Sequence, residues 1–205
     1  MRRPRRERDD RRQHQPQRNE THVDGDEIRL VGKPRRIEGA DVGALQGDDL
    51  RVVAQARMKL AGADVDRVYA VDVGTSQLHA RLRDEPKIVS FERTDIRALD
   101  RTRLAELPDF ITIDVSFISL KLVLPAAFAL ATRPAHLLAL VKPQFEAPRA
   151  HIRKGIVRDP AIHAAVVAEI AGCAASLGCR DIVSFPAAIA GADGNREFFI
   201  GAAFG

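Results

Sequence analysis

From residue 67 onward, short apolar runs alternate with stretches of helical period. RVYAVDV (67–73), KIVSFE (87–92), DFITIDVSF (109–117), HLLALVK (136–142), RDIVSFP (180–186) and REFFIGAAF (196–204) are rich in β-branched and aromatic residues, and read as six strands. Between them, QLHARLRD supplies a helical turn or two, and SLKLVLPAAFALA reads as a helix that holds Pro125 near its start or at a kink. Asp159-Pro160 opens the clearest helix. Asp159 suits the cap, Pro160 at the first helical position gives up no needed N–H, Ile162, Val166, Val167 and Ile170 share a face, and Gly178 supplies the stop. Upstream, RVVAQARMKLAG (51–62) has helical spacing, whereas residues 21–50 offer only strand-like fragments such as EIRLV between glycines.

Strands alternating with helices of this length predict an α/β fold with a mostly parallel sheet. Ligands of such sheets bind beyond the carboxyl ends of the strands, so the residues placed there become candidates. They are Asp72, Glu92, Asp95, Asp114 and Lys142.

Charge narrows the picture. The first twenty residues carry eight arginines against four carboxylates, which accounts for the whole formal excess of +4. The segment has no apolar side chain between Met1 and Val23 apart from two prolines, so it cannot offset the entropy of ordering. It is expected to be a disordered arm over residues 1–22, with phosphate contact a secondary role. No apolar run approaches the roughly 20 residues of a membrane-spanning helix, and no apolar stretch of a secretory signal is present. Cys173 and Cys179 are the only cysteines; a reduced pair in the cytoplasm is expected, and they cannot build a four-ligand zinc cluster.

Asp114 and Lys142 at neighbouring strand ends would meet at the crevice. Burial and the carboxylate act on such a lysine's protonation in opposite senses, and a lysine so tuned can take a proton from a hydroxyl. An ordinary salt bridge accounts for the pair equally well. Pro143 biases the Lys142 backbone toward an extended conformation. Taken alone, Glu197 in GNREFF and Lys59 in RMKL are weak signals. Asp72 has the position from which an acid accepts ribose hydroxyls. His79, His136, His151 and His163 show no metal-ligand spacing and are expected on the surface or in loops. No G-x-G-x-x-G motif supports a nicotinamide-dependent enzyme.

The strings RVYAVDVGTSQLHARLRDEPKIVSFERTDIR, FITIDVSFISLKLVLP, LLALVKPQFEA, KGIVRDPAIHAAVV and GNREFF resemble, in order and spacing, the TlyA family of ribosomal RNA 2′-O-methyltransferases, members of which also carry the name hemolysin. The resemblance covers about residues 57–200. It implies a Rossmann-like class I methyltransferase sheet of the FtsJ type that uses S-adenosylmethionine to methylate a ribose of ribosomal RNA in the ribosomal subunits, without a metal. By the same matching, the family's Lys-Asp-Lys-Glu tetrad falls on Lys59, Asp114, Lys142 and Glu197. Lys142 then takes the 2′-hydroxyl proton, Asp114 positions it, and Lys59 and Glu197 orient the ribose. Asp72, Gly74, Asp95 and Asp114 fall on the cofactor side, Asp72 at the ribose and Asp95 at the adenine edge, where the family more often has Asn.

The departures are as specific as the matches. Only AGADVD separates Leu60 from Arg67, where the family carries its first central strand and a glycine-rich cofactor loop. The sheet is therefore expected to lack that strand. DVGTS (72–76) with Glu92 offers a superficial substitute loop, although its surroundings match the family's second strand better. The family's N-terminal RNA-binding domain is not recognisable. The expected organisation is the arm over 1–22, a remnant or linker over 23–50 and a truncated methyltransferase domain over 51–205, with residues 1–50 read out of the ancestral frame. A second reading stays open: a non-catalytic remnant or RNA-associated protein that no longer binds the cofactor.

Overall fold

A computed structural model describes residues 27–31, 66–191 and 194–205. The helix expected over 51–62, Lys59 within it and the N-terminal arm lie outside the described residues. Seven strands form one sheet: β1 Glu27–Val31, β2 Val68–Asp72, β3 Ile88–Phe91, β4 Phe110–Asp114, β5 Ala135–Val141, β6 Cys179–Pro186 and β7 Phe198–Phe204, in the order β3-β2-β1-β4-β5-β7-β6. The six strands expected downstream of residue 67 all form, within a few residues of their anticipated ends.

Five of the seven strands run in one direction, and β1 and β7 run against them. Where the sequence leads one to expect a lost central strand, the described sheet has no gap. Glu27–Val31, grouped by sequence with the 23–50 linker, fills the slot between β2 and β4 and pairs antiparallel with both. Two neighbouring backbones with unpaired N–H and C=O groups are a strong reason for any extended apolar segment to enter, whatever its direction.

Four helices accompany the sheet in the described residues: α1 Ala80–Arg83, α2 Leu120–Ala129, α3 Pro143–Glu146 and α4 Pro160–Ser176. α2 starts where the Ser119 side chain accepts the Lys121 N–H at 3.2 Å, and it carries Pro125 inside its body. In α4 the Asp159 carboxylate accepts the Ala161 N–H at 2.8 Å, and the chain leaves through Gly178 at φ +100°. Its buried face runs through His163, Val166, Ile170 and Ala174, with Ile162 and Val167 partly buried beside it. His163 thus departs from the surface expectation. Its Nε2 lies 2.9 Å from the Val157 carbonyl and its ring packs on Phe198, which makes burial affordable.

The core joins Ile111 and Ile113 of β4, Leu137, Ala139 and Val141 of β5 and Ile200, Ala202 and Phe204 of β7 to Leu120, Val123, Leu124 and Ala127 of α2. Each fully buried Leu or Ile contributes about 1.5–3 kcal/mol. This packing brings the carboxyl ends of β2, β4 and β5 and the start of β7 to one rim, because Val141 pairs with Phe198 and Glu27 sits between Asp72 and Asp114.

Candidate active site

Lys142 follows the last residue of β5 directly, with an extended backbone (φ −108°, ψ 99°) that Pro143 enforces. Its ammonium reaches Asp114 Oδ1 at 2.8 Å and donates to Ser116 Oγ at 3.0 Å. The sequence brought Asp114 and Lys142 to neighbouring strand ends; the structure adds Ser116, two residues past the strand.

Glu197 lies just before β7 and is buried. One of its oxygens accepts the Gln144 Nε2 hydrogen bond at 3.0 Å. Burial pushes its carboxyl above the usual range, Asp114 adds to that, and the Gln144 hydrogen bond and the Lys142 charge oppose it. The same interactions place Glu197 within electrostatic reach of the Lys142–Asp114 pair. Three members of the expected tetrad therefore share one rim.

The five residues 142–146 serve the whole site. Lys142 holds Asp114 and Ser116, and Gln144 holds Glu197. Phe145 packs on Phe117 with ring centroids 4.8 Å apart. Glu146 accepts from Ser119 Oγ at 2.6 Å and from the Leu120 N–H at 2.7 Å, so it anchors the first turn of α2. Burial raises the Glu146 carboxyl, against the opposing effect of those two donors. Phe117 itself is 82% exposed and has φ +61°, a left-handed backbone that a bulky side chain seldom adopts.

On the cofactor side, Asp72 ends β2 and is buried, with Oδ1 accepting the Gly74 N–H at 2.6 Å. A side chain at position 74 would crowd that oxygen and Gln77. Asp95 caps a short 3-10 turn by accepting the Arg97 N–H at 2.9 Å and pairs with the Arg97 guanidinium, whose hydrogen bonds hold its carboxyl below the ordinary value. Both border the space where β2 and β4 end. A cavity of about 210 Å³ opens there between Val71 and Val73, Thr94–Arg97, Val115–Ile118 and Val123. Asp95 lines it directly, whereas Asp72 ends the strand whose Val71 forms part of the wall.

The DVGTS segment bonds largely to itself, with the Gly74 N–H donating to Asp72 at 2.6 Å. Glu92 is bound by the Ser76 N–H at 2.9 Å, and Arg93 N–H closes on the Gly74 carbonyl at 2.9 Å, so the DVGTS segment spends these groups on its own turn. Sequence reasoning missed Ser116, Phe117, Gln144, Gly191 and Asn195. All but Gly191 stood inside the quoted family strings; only the fold shows which way they face. Among the described residues no group of three or more His, Cys, Asp or Glu side chains could hold a metal ion, and no helix is long and apolar enough to cross a membrane. Both cysteines are free thiols.

Known proteins are similar to this chain. YqxC of Bacillus subtilis, which carries the name of an rRNA methyltransferase, is 45% identical over 136 residues, spanning 64% of this chain and 48% of that protein. The 16S/23S rRNA (cytidine-2′-O)-methyltransferase TlyA of Mycobacterium tuberculosis is 39% identical over 134 residues, 65% of this chain and 50% of that protein. This chain thus spans about half the length of these relatives. A solved structure from Streptococcus thermophilus, described as a hemolysin, superimposes with a TM-score of 0.71 at 32% identity, covering 84% of this chain and 69% of that one. The profile of the FtsJ-like methyltransferases matches residues 26–204, from β1 to the last strand, and the chain belongs to that family.

Proposed function

We propose that this protein transfers a methyl group from S-adenosylmethionine to a ribose 2′-hydroxyl of ribosomal RNA, in the cytoplasm where ribosomal subunits reside. The observation that carries the reading is the cluster of Lys142, Asp114 and Glu197 at one rim, beside an apolar cleft with an acid on its wall. The names of the relatives agree with it.

The cleft suits the adenosyl half of the cofactor. Val71, Val115 and Val123 offer apolar walls, Asp95 an acceptor for an exocyclic amine, and Asp72 an acid at the ribose position. When bound, S-adenosylmethionine supplies an electrophilic methyl group. The chain's own residues manage the acceptor. Lys142, once its ammonium has given a proton to solvent, takes the hydroxyl proton at Nζ while Asp114 and Ser116 fix that nitrogen in place. The ammonium so formed is stabilised by the same carboxylate. Glu197, screened from water, orients the sugar from the opposite side, and Phe117 offers a face on which a base stacks. Lys59 completes the tetrad in this proposal.

The test is tritiated methyl transfer to unmodified ribosomal subunits, followed by nuclease mapping of the labelled ribose. Incorporation that depends on Lys142 is expected; none with any subunit preparation would end the reading. A second reading rests on the self-bonded DVGTS loop, which provides no seat for the methionine half. It makes the chain a cofactor-free RNA-associated protein, and absence of calorimetric binding at millimolar S-adenosylmethionine, weaker than about −4 kcal/mol, would favour it.

A further inference from the structure

Gln144 and Gly191 hold no place in the tetrad, yet both act on Glu197. Gln144 Nε2 donates to Glu197 Oε1 at 3.0 Å, while its own Oε1 is buried with no hydrogen-bond partner among the described residues. An orphaned acceptor is costly, so the amide is held in this orientation by what its donor side meets. A carboxylate, which only accepts, is such a group. A Cβ built on Gly191 would overlap the same Glu197 carboxyl group, at Oε1 first. That glycine is fixed in turn: its N–H donates to the Asn195 carbonyl at 2.9 Å, its carbonyl accepts from the Gly194 N–H at 3.1 Å, and Asn195 is tied to Gly155 and Val157.

We infer that Gln144 is a positioning residue that clamps the Glu197 carboxylate against Gly191, so that its second oxygen faces the acceptor ribose. The inference rests on the reading of Glu197 as part of the acceptor site. The clamp works because Gln144 lies two residues after Lys142 on α3, so both sides of the site hang from one rigid turn. Burial and Asp114 at the end of β4 disfavour the charged carboxylate, Lys142 beyond β5 favours it, and the neutral Gln144 amide joins the lysine. From α4, His163 packs on Phe198, the next residue. Removing the amide therefore shifts Glu197 toward its protonated form without touching Lys142.

The experiment follows the Glu197 side-chain carboxyl by carbon-13 NMR of glutamate-labelled full-length protein, the resonance being identified by its loss in Glu197→Gln. In Gln144→Met its titration midpoint moves to higher pH; an unmoved midpoint overturns the inference. Gly191→Ala, which displaces the same carboxyl, is the second variant, and an unchanged Glu197 resonance in it likewise overturns the clamp. In methyl transfer, Gln144→Met lowers kcat by about 10- to 100-fold with little change in the KM for S-adenosylmethionine. It adds no further loss in the Glu197→Gln background, and an additive loss would show that Gln144 acts through something else. Should the unaltered protein transfer no methyl group, the reading of the site falls, while the NMR titration still decides the clamp.

Discussion

Lys142 and Asp114 form a 2.8 Å ion pair across the ends of β4 and β5, although they meet solvent differently: the lysine side chain is 16% exposed and the aspartate 51%. In the proposed mechanism the shielded partner takes the hydroxyl proton, and the more open carboxylate faces the positive charge that forms on it. Lys142→Ala is expected to lower methyl transfer by about 10²- to 10⁴-fold. A half-exposed pair contributes about 0–1 kcal/mol, so the melting temperature should move by only a few degrees. A tritium-transfer assay beside a thermal melt separates the two effects, and near-normal transfer would remove the lysine from its role.

Phe117 pays a backbone cost of about 1–3 kcal/mol to present an aromatic face to solvent. In the proposed reading, stacking of an RNA base offsets that cost. Phe117→Ala should leave the melting temperature unchanged or slightly higher and weaken binding to single-stranded ribosomal RNA fragments by about 1–3 kcal/mol, read by fluorescence anisotropy. Unaltered affinity would leave the ring without a nucleic-acid role.

Much of this architecture is legible in the sequence because its signals are local. The Asp159-Pro160 start of α4, the six downstream strands and the placing of Asp114 and Lys142 at strand ends each follow from a few consecutive residues. The antiparallel entry of Glu27–Val31 between β2 and β4 is not legible, since an apolar fragment among glycines carries no mark of the slot it fills. His163 misled because a lone histidine on a helix shows nothing of the Val157 carbonyl that satisfies it. Gln144 and Gly191 escaped for the same reason: their meaning lies in a carboxylate more than fifty and six residues away, respectively, in sequence.

The central position of β1 makes a direct prediction. Leu30 stands opposite Tyr69 on one side and Ile111 on the other. A proline there removes a ladder donor in mid-sheet, where no water replaces it. Leu30→Pro should cost about 1–3 kcal/mol or more, measured by urea denaturation. Undiminished stability would mean that the sheet does not depend on this strand.

Glu146 anchors α2 from a neighbouring element, accepting from the Ser119 hydroxyl and the Leu120 N–H. Glu146→Ala strands both donors and should cost about 1–3 kcal/mol. Because burial raises the carboxyl in the folded state, its contribution is full below the ordinary glutamate value of 4.5 and is lost as pH rises through the folded value. Glu146→Gln, which keeps an acceptor without the charge, should therefore retain most of the melting temperature at neutral pH. An equal loss in both variants would contradict this.

At the alkaline end the sensitive group is Cys179, buried at the start of β6, where desolvation first and the neighbouring Cys173 second push its thiol from 9.0 to about 11. The folded state holds this proton more tightly than the unfolded chain, so unfolding favours its release. The stabilising contribution is complete below pH 9 and drains away as pH rises through about 11. Cys179→Ala should flatten the fall in melting temperature across that window while lowering stability somewhat at neutral pH through lost packing. An alkaline limb of the same steepness in both proteins would show that the thiol is not the group being titrated.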